Sequence, residues 1–208
     1  MADDTRLARA NDLLRQAPKA KRPLDQRMFV AAAISTVMAK PPIVVGGTAE
    51  EYWTRDEYHP TDLDLIPGPS REDQDSFRQL GFKKEGRHWV RDDLPIATEF
   101  PHDDTFEVRR TVDEEIEGVV VKVIGVDDLY LDRLGQTTAT ENVRDQHFAS
   151  LMAVAVANWD SLDWKYIESR IAEAVRASPA LGNSMKLMNR RCRRRARNAL
   201  AQRRAKQL

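Results

Sequence analysis

Two aspartates separated by a single leucine form a candidate metal-binding pair. They stand in the run Asp62-Leu63-Asp64-Leu65-Ile66, whose alternating acidic and apolar residues predict a β-strand. Strand side chains alternate between the two faces of a sheet, so the two aspartates share one face and the leucines share the other. Two neighbouring carboxylates repel unless a cation lies between them, and Mg²⁺ prefers oxygen ligands. A solvated strand face is the alternative interpretation.

A glycine pair, Gly46-Gly47, separates the apolar run Ile43–Val45 from a predicted helix that begins near Thr48 and ends near Arg55. Glycines permit a tight turn and a close approach of the backbone to a ligand. The free N–H groups and the dipole at the start of a helix attract anions. We therefore expect Gly46, Gly47 and Thr48 to bind the phosphates of a nucleotide. An ordinary strand-to-helix turn capped by the Thr48 hydroxyl would use the same residues.

A third carboxylate, Glu99, lies inside the predicted strand Leu94–Phe100. A carboxylate in an apolar strand is costly without a cation or a hydrogen-bond donor, so we expect Glu99 to join Asp62 and Asp64. An exposed acid on an edge strand is the alternative. Cations that could neutralise a triphosphate, or simply line a solvated hairpin, lie between the two acidic strands: Lys83, Lys84, Arg87 and Arg91.

The order of these motifs resembles the polymerase-β-like nucleotidyltransferases, in which Gly-Gly or Gly-Ser, a short helix and Asp-x-Asp follow one another. Here they read Gly46-Gly47-Thr48 and Asp62-Leu63-Asp64, with an interval on the long side for that family. The resemblance covers residues 25–150. It implies a mixed α/β (α+β) nucleotidyltransferase sheet flanked by helices.

The same resemblance implies roles for the site residues. Asp62, Asp64 and Glu99 would bind two Mg²⁺ ions, or Mn²⁺ in their place. The glycine turn would hold the β- and γ-phosphates of a nucleoside triphosphate such as ATP. An acceptor hydroxyl would attack the α-phosphate, with Asp64 or Glu99 nearest the attacking oxygen, and pyrophosphate would leave.

A second stretch is similar to the nucleotidyltransferases of bacterial toxin–antitoxin and abortive-infection systems. It runs from Val126 to Leu134 and continues at Arg144-Asp145. In those proteins a lysine on this helix reaches the nucleotide, and Arg133 stands at its place here. Arg keeps the charge but has a different donor geometry. The resemblance implies a toxin with a cognate antitoxin partner; salt bridging on a helix surface is the alternative role for Arg133.

The composition favours a water-soluble protein with a hydrophobic core. The chain has 208 residues, of which 41% are hydrophobic and 32% are charged. A single cysteine, Cys192, excludes an internal disulfide and offers no Cys/His zinc cluster. The first residues lack the apolar segment of a secretory signal, and no apolar run is long enough to span a bilayer. We expect a cytoplasmic location and no membrane partner.

The net charge of zero hides a basic C-terminal segment. Residues 190–208 contain nine basic and no acidic residues. Such a segment can neutralise phosphates, which indicates an RNA or tRNA acceptor; a solvated tail, or a helix that folds back on an acidic domain, is the alternative. The candidate nucleic-acid contacts are Arg190, Arg191, Arg193, Arg194, Arg195 and Arg197.

Hydrophobic periodicity predicts an α/β catalytic domain over residues 1–124 and a helical region over 125–208. Helices are predicted at Asp4–Gln16, Leu24–Ala39, Ser70–Gly81, Val126–Leu134, Asn142–Asn158, Asp163–Ala177 and Met185–Lys206. Further strands are predicted at Phe82–Glu85, His88–Val90, Glu107–Val112 and Val119–Ile124, with an acidic turn at Asp113–Gly118.

Three functional classes are compatible with these residues. The first is a metal-dependent nucleotidyltransferase acting on an RNA, protein or small-molecule hydroxyl. The second is a catalytically degenerate protein that uses the same fold to bind RNA or a protein partner. The third is a metal-dependent phosphohydrolase built on the same acids.

Overall fold

The computed structural model describes residues 3–55, 60–101, 107–138 and 146–206. The chain forms two compact units, Met1–Ile124 and Gly125–Leu208. The first contains a sheet covered by helices, and the second contains helices. The predicted α/β class with a C-terminal helical region is confirmed.

The first unit is built on a seven-stranded mixed sheet. Its helices are α1 (Asp4–Gln16), α2 (Pro23–Val37), α3 (Gly46–Thr54) and α4 (Arg71–Gln79). Its strands are β1 (Ile43–Val44), β2 (Asp62–Ile66), β3 (Lys83–Glu85), β4 (His88–Arg91), β5 (Leu94–Glu99), β6 (Thr111–Ile116) and β7 (Val119–Ile124). The strand order is β3-β4-β5-β2-β1-β7-β6, which places the acidic strand β2 in the centre of the sheet.

The second unit contains α5 (Val126–Thr137), α6 (Gln146–Ala157), α7 (Trp164–Ala177) and α8 (Pro179–Ala205). These helices pack against one another around apolar side chains, and Leu151, Val154 and Ile167 are fully buried. Tyr130 is also fully buried, and its hydroxyl donates a hydrogen bond to the Asn189 side chain over 2.8 Å.

The structure differs most from the sequence prediction in the acidic segment before β7. The predicted turn at Asp113–Gly118 is wrong, because most of it belongs to β6, and the turn consists of Glu117 and Gly118 alone. Both turn residues have positive φ, 50° and 78°, as a tight hairpin turn requires. Asp and Glu are poor strand formers by themselves, but pairing with the valine-rich β7 outweighs that preference.

Three helix boundaries also differ from the prediction. Helix α3 begins at Gly46 and not near Thr48. Helix α5 continues through Gly135 to Thr137, because this glycine sits inside the helix and does not end it. Helix α8 starts at Pro179, where a proline is tolerated in the first helical turn, and not at Met185.

Asp73 connects α4 to the segment that follows α2. One carboxylate oxygen accepts from the backbone N–H of Ala39 and the other from that of Ser70, both over 2.9 Å. Asp73 N–H in turn donates to the Ser70 hydroxyl, which completes a capping box. Burial raises the pKa of Asp73, but these hydrogen bonds outweigh burial and hold the pKa below its usual value.

We expect Asp73→Asn to lower the free energy of unfolding by about 1–3 kcal/mol at neutral pH, because the backbone N–H groups of Ala39 and Ser70 lose an anionic acceptor. The pKa of Asp73 is lower in the folded protein than in the unfolded chain, where it is about 3.9. The ionised carboxylate therefore stabilises the fold at pH values above about 3.9, and this contribution disappears as the pH falls through the native pKa. The difference between wild type and variant should therefore narrow below about pH 4.

Urea unfolding at neutral and acidic pH measures the effect of Asp73→Asn. Asp75→Asn on the same helix is the matched control, since Asp75 is half-exposed and pairs with Arg78, one turn away. That control should change the free energy of unfolding by less than about 0.5 kcal/mol. Equal destabilisation by both variants would contradict the capping role of Asp73.

Candidate metal centre and its surroundings

The alternation of β2 separates its acids from its leucines. Leu63 and Leu65 are fully buried on one face of the sheet. Asp62 and Asp64 lie on the other face and are only partly covered. The predicted division of the strand into an apolar face and an acidic face is therefore present.

Glu99 lies beside Asp64 because β5 runs parallel to β2. The register pairs Asp62 with Ala97, Leu63 with Thr98 and Asp64 with Glu99. One carboxylate oxygen from each of Asp62, Asp64 and Glu99 lies within 4.8 Å of the other two. The Glu99 side chain is 15% exposed, so the third acid is not a solvated edge residue.

These three carboxylates, the acidic triad, fit a hard divalent cation. Three like charges at such distances on a partly buried surface repel one another, and a cation between them removes the repulsion. The donor set is entirely oxygen, which suits Mg²⁺ or Mn²⁺ and not a zinc site of Cys and His. The triad can therefore hold a metal, and its oxygens set the class of ion.

Gly46 lies directly against the triad. Its φ is +60°, and a Cβ added to it would lie 1.9 Å from the Oδ2 atom of Asp64. The next backbone N–H, that of Gly47, donates to the same Oδ2 over 3.4 Å. Helix α3 thus begins with its N-terminus facing the Asp64 carboxylate, and only glycine fits at its first position.

Thr48 is fully buried and connects α3 to β2. Its hydroxyl donates to the backbone carbonyl of Asp62 over 3.0 Å. The side chain therefore fixes the helix on the acidic strand. The predicted contacts of Gly46, Gly47 and Thr48 with a nucleotide stay predictions, and any contact from Thr48 would come from its backbone.

Three further side chains hold α3 in place. Tyr52 donates to the Glu114 carboxylate on β6 over 2.9 Å, and burial together with this bond raises the pKa of Tyr52 to about 12. Trp53 donates its indole N–H to the carbonyl of Ile124 over 2.8 Å. A buried ion pair between Arg27 and Glu51 joins α2 to α3. The helix that faces the triad is thus fixed from several directions.

The β3–β4 hairpin brings a guanidinium and an imidazole to Glu99. Arg87 Nε lies 3.3 Å and His88 Nε2 lies 3.4 Å from Glu99 Oε2. Among the four predicted phosphate-binding cations, Arg87 alone has an ion pair with the triad in the described residues. Lys83 pairs with Asp92, Arg91 pairs with Asp93, and Lys84 lies over the ring of Trp89.

Sequence analysis did not identify His88 as a neighbour of the metal centre. His88 is paired with Glu99 by the antiparallel register of β4 and β5. The tight turns at Gly86 and at Asp92-Asp93 carry the signal for this register. Reading the two hairpins together would have placed His88 opposite the third acid.

Replacement of Arg87 by alanine should tighten Mn²⁺ binding. The guanidinium competes with the ion for Glu99, but its side chain is 72% exposed, so solvent screens much of the pair. An exposed ion pair is worth about 0.2–1 kcal/mol, which corresponds to a gain in affinity of about 1.5- to 5-fold. Isothermal titration with Mn²⁺ measures this change directly.

Lys83→Ala is the matched control for Arg87→Ala. It removes one positive charge from the same hairpin, but Lys83 Nζ pairs with Asp92 at 2.6 Å and not with the triad. The control should leave the Mn²⁺ affinity unchanged. Weaker Mn²⁺ binding after Arg87→Ala would contradict competition between Arg87 and the ion.

The two aspartates in the first turn of α5 accept hydrogen bonds that stabilise the helical unit. Asp127 accepts a hydrogen bond from the backbone N–H of Asp163, at the start of α7, over 2.8 Å. Asp128 is fully buried and accepts from the Tyr166 hydroxyl over 2.6 Å. Both residues therefore hold α7 against α5.

Arg133 is largely buried on α5. It donates to the Gln136 side chain over 3.0 Å and lies 3.4 Å from Asp132. The salt-bridging alternative is thus present, and its contact with a nucleotide stays a prediction. Arg144 and Asp145 lie outside the described residues.

Cys192 is fully buried in the helical unit, and burial raises the pKa of its thiol to about 11. The thiol is therefore protonated at neutral pH and is not a nucleophile. The six arginines predicted to contact nucleic acid all lie on α8. No helix in the described part of the chain combines the length and apolar character needed to cross a bilayer.

Comparison with known proteins does not assign a function to the chain. No established protein family matches the chain, and no curated protein is detectably similar in sequence. A solved structure of an antigenic nucleotidyltransferase-like protein from Paracoccidioides brasiliensis is similar over 70% of this chain and 84% of its own. The identity is 12% and the TM-score is 0.43. Similarity at this level assigns no activity.

Proposed function

We propose that this chain is a metal-dependent nucleotidyltransferase that moves a nucleoside monophosphate from a triphosphate to an acceptor hydroxyl. The observation that carries the proposal is the acidic triad, whose ligand oxygens lie within 4.8 Å of one another beside the N-terminus of α3. A group that can bind a cation and a helix N-terminus that can bind an anion thus lie side by side. A simple solvated strand face would not need a glycine packed against Asp64.

The triad residues Asp62, Asp64 and Glu99 would hold the divalent metal. The metal would supply charge neutralisation at the phosphates and a lower pKa for the attacking hydroxyl. The backbone at Gly46 and Gly47 would bind the triphosphate through N–H groups and the helix dipole. Arg87, released from Glu99, would add a cation to the phosphates. The acceptor oxygen forms a bond to the α-phosphorus as the bond to the bridging oxygen breaks, and pyrophosphate leaves.

Labelled nucleotides test this proposal. Incubation with α-labelled triphosphate, Mg²⁺ and total RNA or cell protein should move label to a macromolecule, and γ-label should appear in pyrophosphate. Asp64→Asn should stop both. Release of inorganic phosphate from γ-label without transfer would indicate a phosphohydrolase instead. No turnover with any nucleotide would indicate a degenerate binding protein.

The cellular role that we propose is the toxin of a toxin–antitoxin pair in the cytoplasm, neutralised by a cognate antitoxin protein. Its support is the sequence resemblance at Val126–Leu134. In this chain Asp127 and Asp128 have packing roles, so that stretch supports the role less strongly than the triad supports the chemistry. Growth arrest on expression of wild type but not of Asp64→Asn would support it, and unimpaired growth would count against it.

A further inference from the structure

The charge pattern of helix α8 has no role in the candidate metal centre. The 27 residues of the helix include eight arginines and Lys186, and they contain no aspartate or glutamate. A solvated helix usually mixes both signs, because alternating charges form stabilising pairs along its surface. A long helix with one sign of charge must instead tolerate repulsion or meet an external anion.

The apolar side of α8 faces the interior of its own unit. Met185, Met188, Cys192 and Ala196 are buried, at the spacing of one helix face. On the opposite side Lys186, Arg190, Arg194 and Arg204 are exposed. These four residues, the exposed stripe, are separated by multiples of about one helical turn and extend over about 27 Å of helix axis.

The remaining arginines near the stripe already have partners within the helical unit. Arg193 pairs with Glu168 and lies 4.6 Å above the ring of Trp164. Arg195 lies over Phe148 at 5.4 Å and Arg197 over Trp159 at 5.6 Å.

The exposed stripe differs from these arginines. Among the described residues of 125–208, no carboxylate or aromatic ring pairs with Lys186, Arg190, Arg194 or Arg204. The structure therefore divides these cations into arginines that contact a ring or a carboxylate of the helical unit and a row that has neither contact among the described residues.

We propose that the exposed stripe binds the phosphodiester backbone of a nucleic-acid strand. Arginine forms paired hydrogen bonds with phosphate oxygens and keeps its charge at every physiological pH. Lys186, Arg190 and Arg194 follow one another at steps of about 6 Å along the helix, and such a row can neutralise successive phosphates without reading bases. This inference does not rest on the candidate metal centre.

A membrane surface fits the stripe less well than a nucleic acid does. A helix that lies on a bilayer inserts an apolar face next to its cations, and the apolar face of α8 is buried in its own unit. Leu181 and Leu187 are exposed to 46% and 44%, but they stand six positions apart and form no continuous apolar surface. The exposed stripe offers charge without an apolar surface, and this suits the phosphates of a nucleic acid.

Fluorescence anisotropy with short labelled RNA and DNA strands tests the proposal, with the full chain in the presence of a chelator. Removing divalent metal makes the result independent of the proposed transferase activity. Wild type should bind at least one of the two strands, with an affinity that falls as salt rises. For Arg190→Gln/Arg194→Gln, the negative slope of log affinity against log salt should become shallower by about 1.4, because two contacts with single-strand phosphates are lost.

The double variant Arg193→Gln/Arg195→Gln is the matched control. It removes the same charge from the same helix, but at arginines that pack on Trp164 and Phe148. Its salt slope should stay close to that of wild type, and circular dichroism checks that both variants are folded. Absence of binding by wild type, equal slopes for the two double variants, or displacement of the strand by anionic lipid vesicles would overturn the proposal.

Discussion

Asp64→Asn is expected to abolish stabilisation of the protein by Mn²⁺ and, at the same time, to raise the stability of the metal-free protein. Asp64 contributes one of three carboxylate oxygens that lie within 4.8 Å of one another. Removing one negative charge relieves the repulsion in the absence of metal. It also removes an anionic ligand, so the ion loses both a bond and a share of its neutralising charge.

The size of the effect on binding follows from ligand chemistry. Loss of a residue that only orients a metal ligand weakens binding by about 10- to 100-fold, so loss of a ligand itself should cost about 100-fold or more. A saturating ion at about 100 times its dissociation constant stabilises the folded protein by about 2.7 kcal/mol, and Asp64→Asn should lose nearly all of this gain. Thermal unfolding with and without Mn²⁺ measures both parts of the prediction.

Asp92→Asn is the matched control for Asp64→Asn. Asp92 is also an aspartate, but its side chain is 78% exposed and pairs with Lys83 away from the triad. This variant should keep the full Mn²⁺ response and should not raise the melting temperature without metal. If Asp64→Asn responded to Mn²⁺ as strongly as wild type, the triad would not be the metal site.

The residues of the acidic triad could be predicted from the sequence because local sequence patterns point to each of them. Alternation along β2 places Asp62 and Asp64 on one face, and this follows from strand geometry alone. Glu99 could be predicted because a carboxylate within an apolar strand needs a partner. Its position beside Asp64, however, depends on the parallel register of β2 and β5, which no local pattern specifies.

Contacts between distant elements explain what the sequence did not reveal. The approach of Arg87 and His88 to Glu99 depends on how the β3–β4–β5 hairpins align. The buried pair of Arg27 and Glu51 joins residues that are 24 positions apart, and each looks like an ordinary surface charge in the sequence. The strand predicted at Glu107–Val112 lies at Thr111–Ile116 instead, because the acidic residues of β6 become a strand only by pairing with β7. Local propensity is a weak guide where tertiary pairing decides.

Gly46→Ala should both destabilise the protein and weaken Mn²⁺ binding. The φ of +60° costs a non-glycine residue about 1–2 kcal/mol, and the added Cβ would lie 1.9 Å from Asp64 Oδ2. Relief of that clash requires either a shift of α3 or displacement of the Asp64 carboxylate, at a further cost of about 1–3 kcal/mol. Because α3 is held by Thr48, Tyr52 and Trp53, the carboxylate is the group expected to move.

Gly135→Ala separates the local clash from the general effect of adding a methyl group to a glycine. Gly135 lies inside α5, and a Cβ at this position would meet nothing within 4 Å. Alanine is the better helix former, so this control should be neutral or stabilising by up to about 1 kcal/mol. Urea unfolding gives the stability of both variants, and titration with Mn²⁺ gives their affinity. Gly46→Ala with normal Mn²⁺ affinity would mean that α3 shifts and leaves Asp64 in place, and the proposed rigid contact between the glycine turn and the triad would then be wrong.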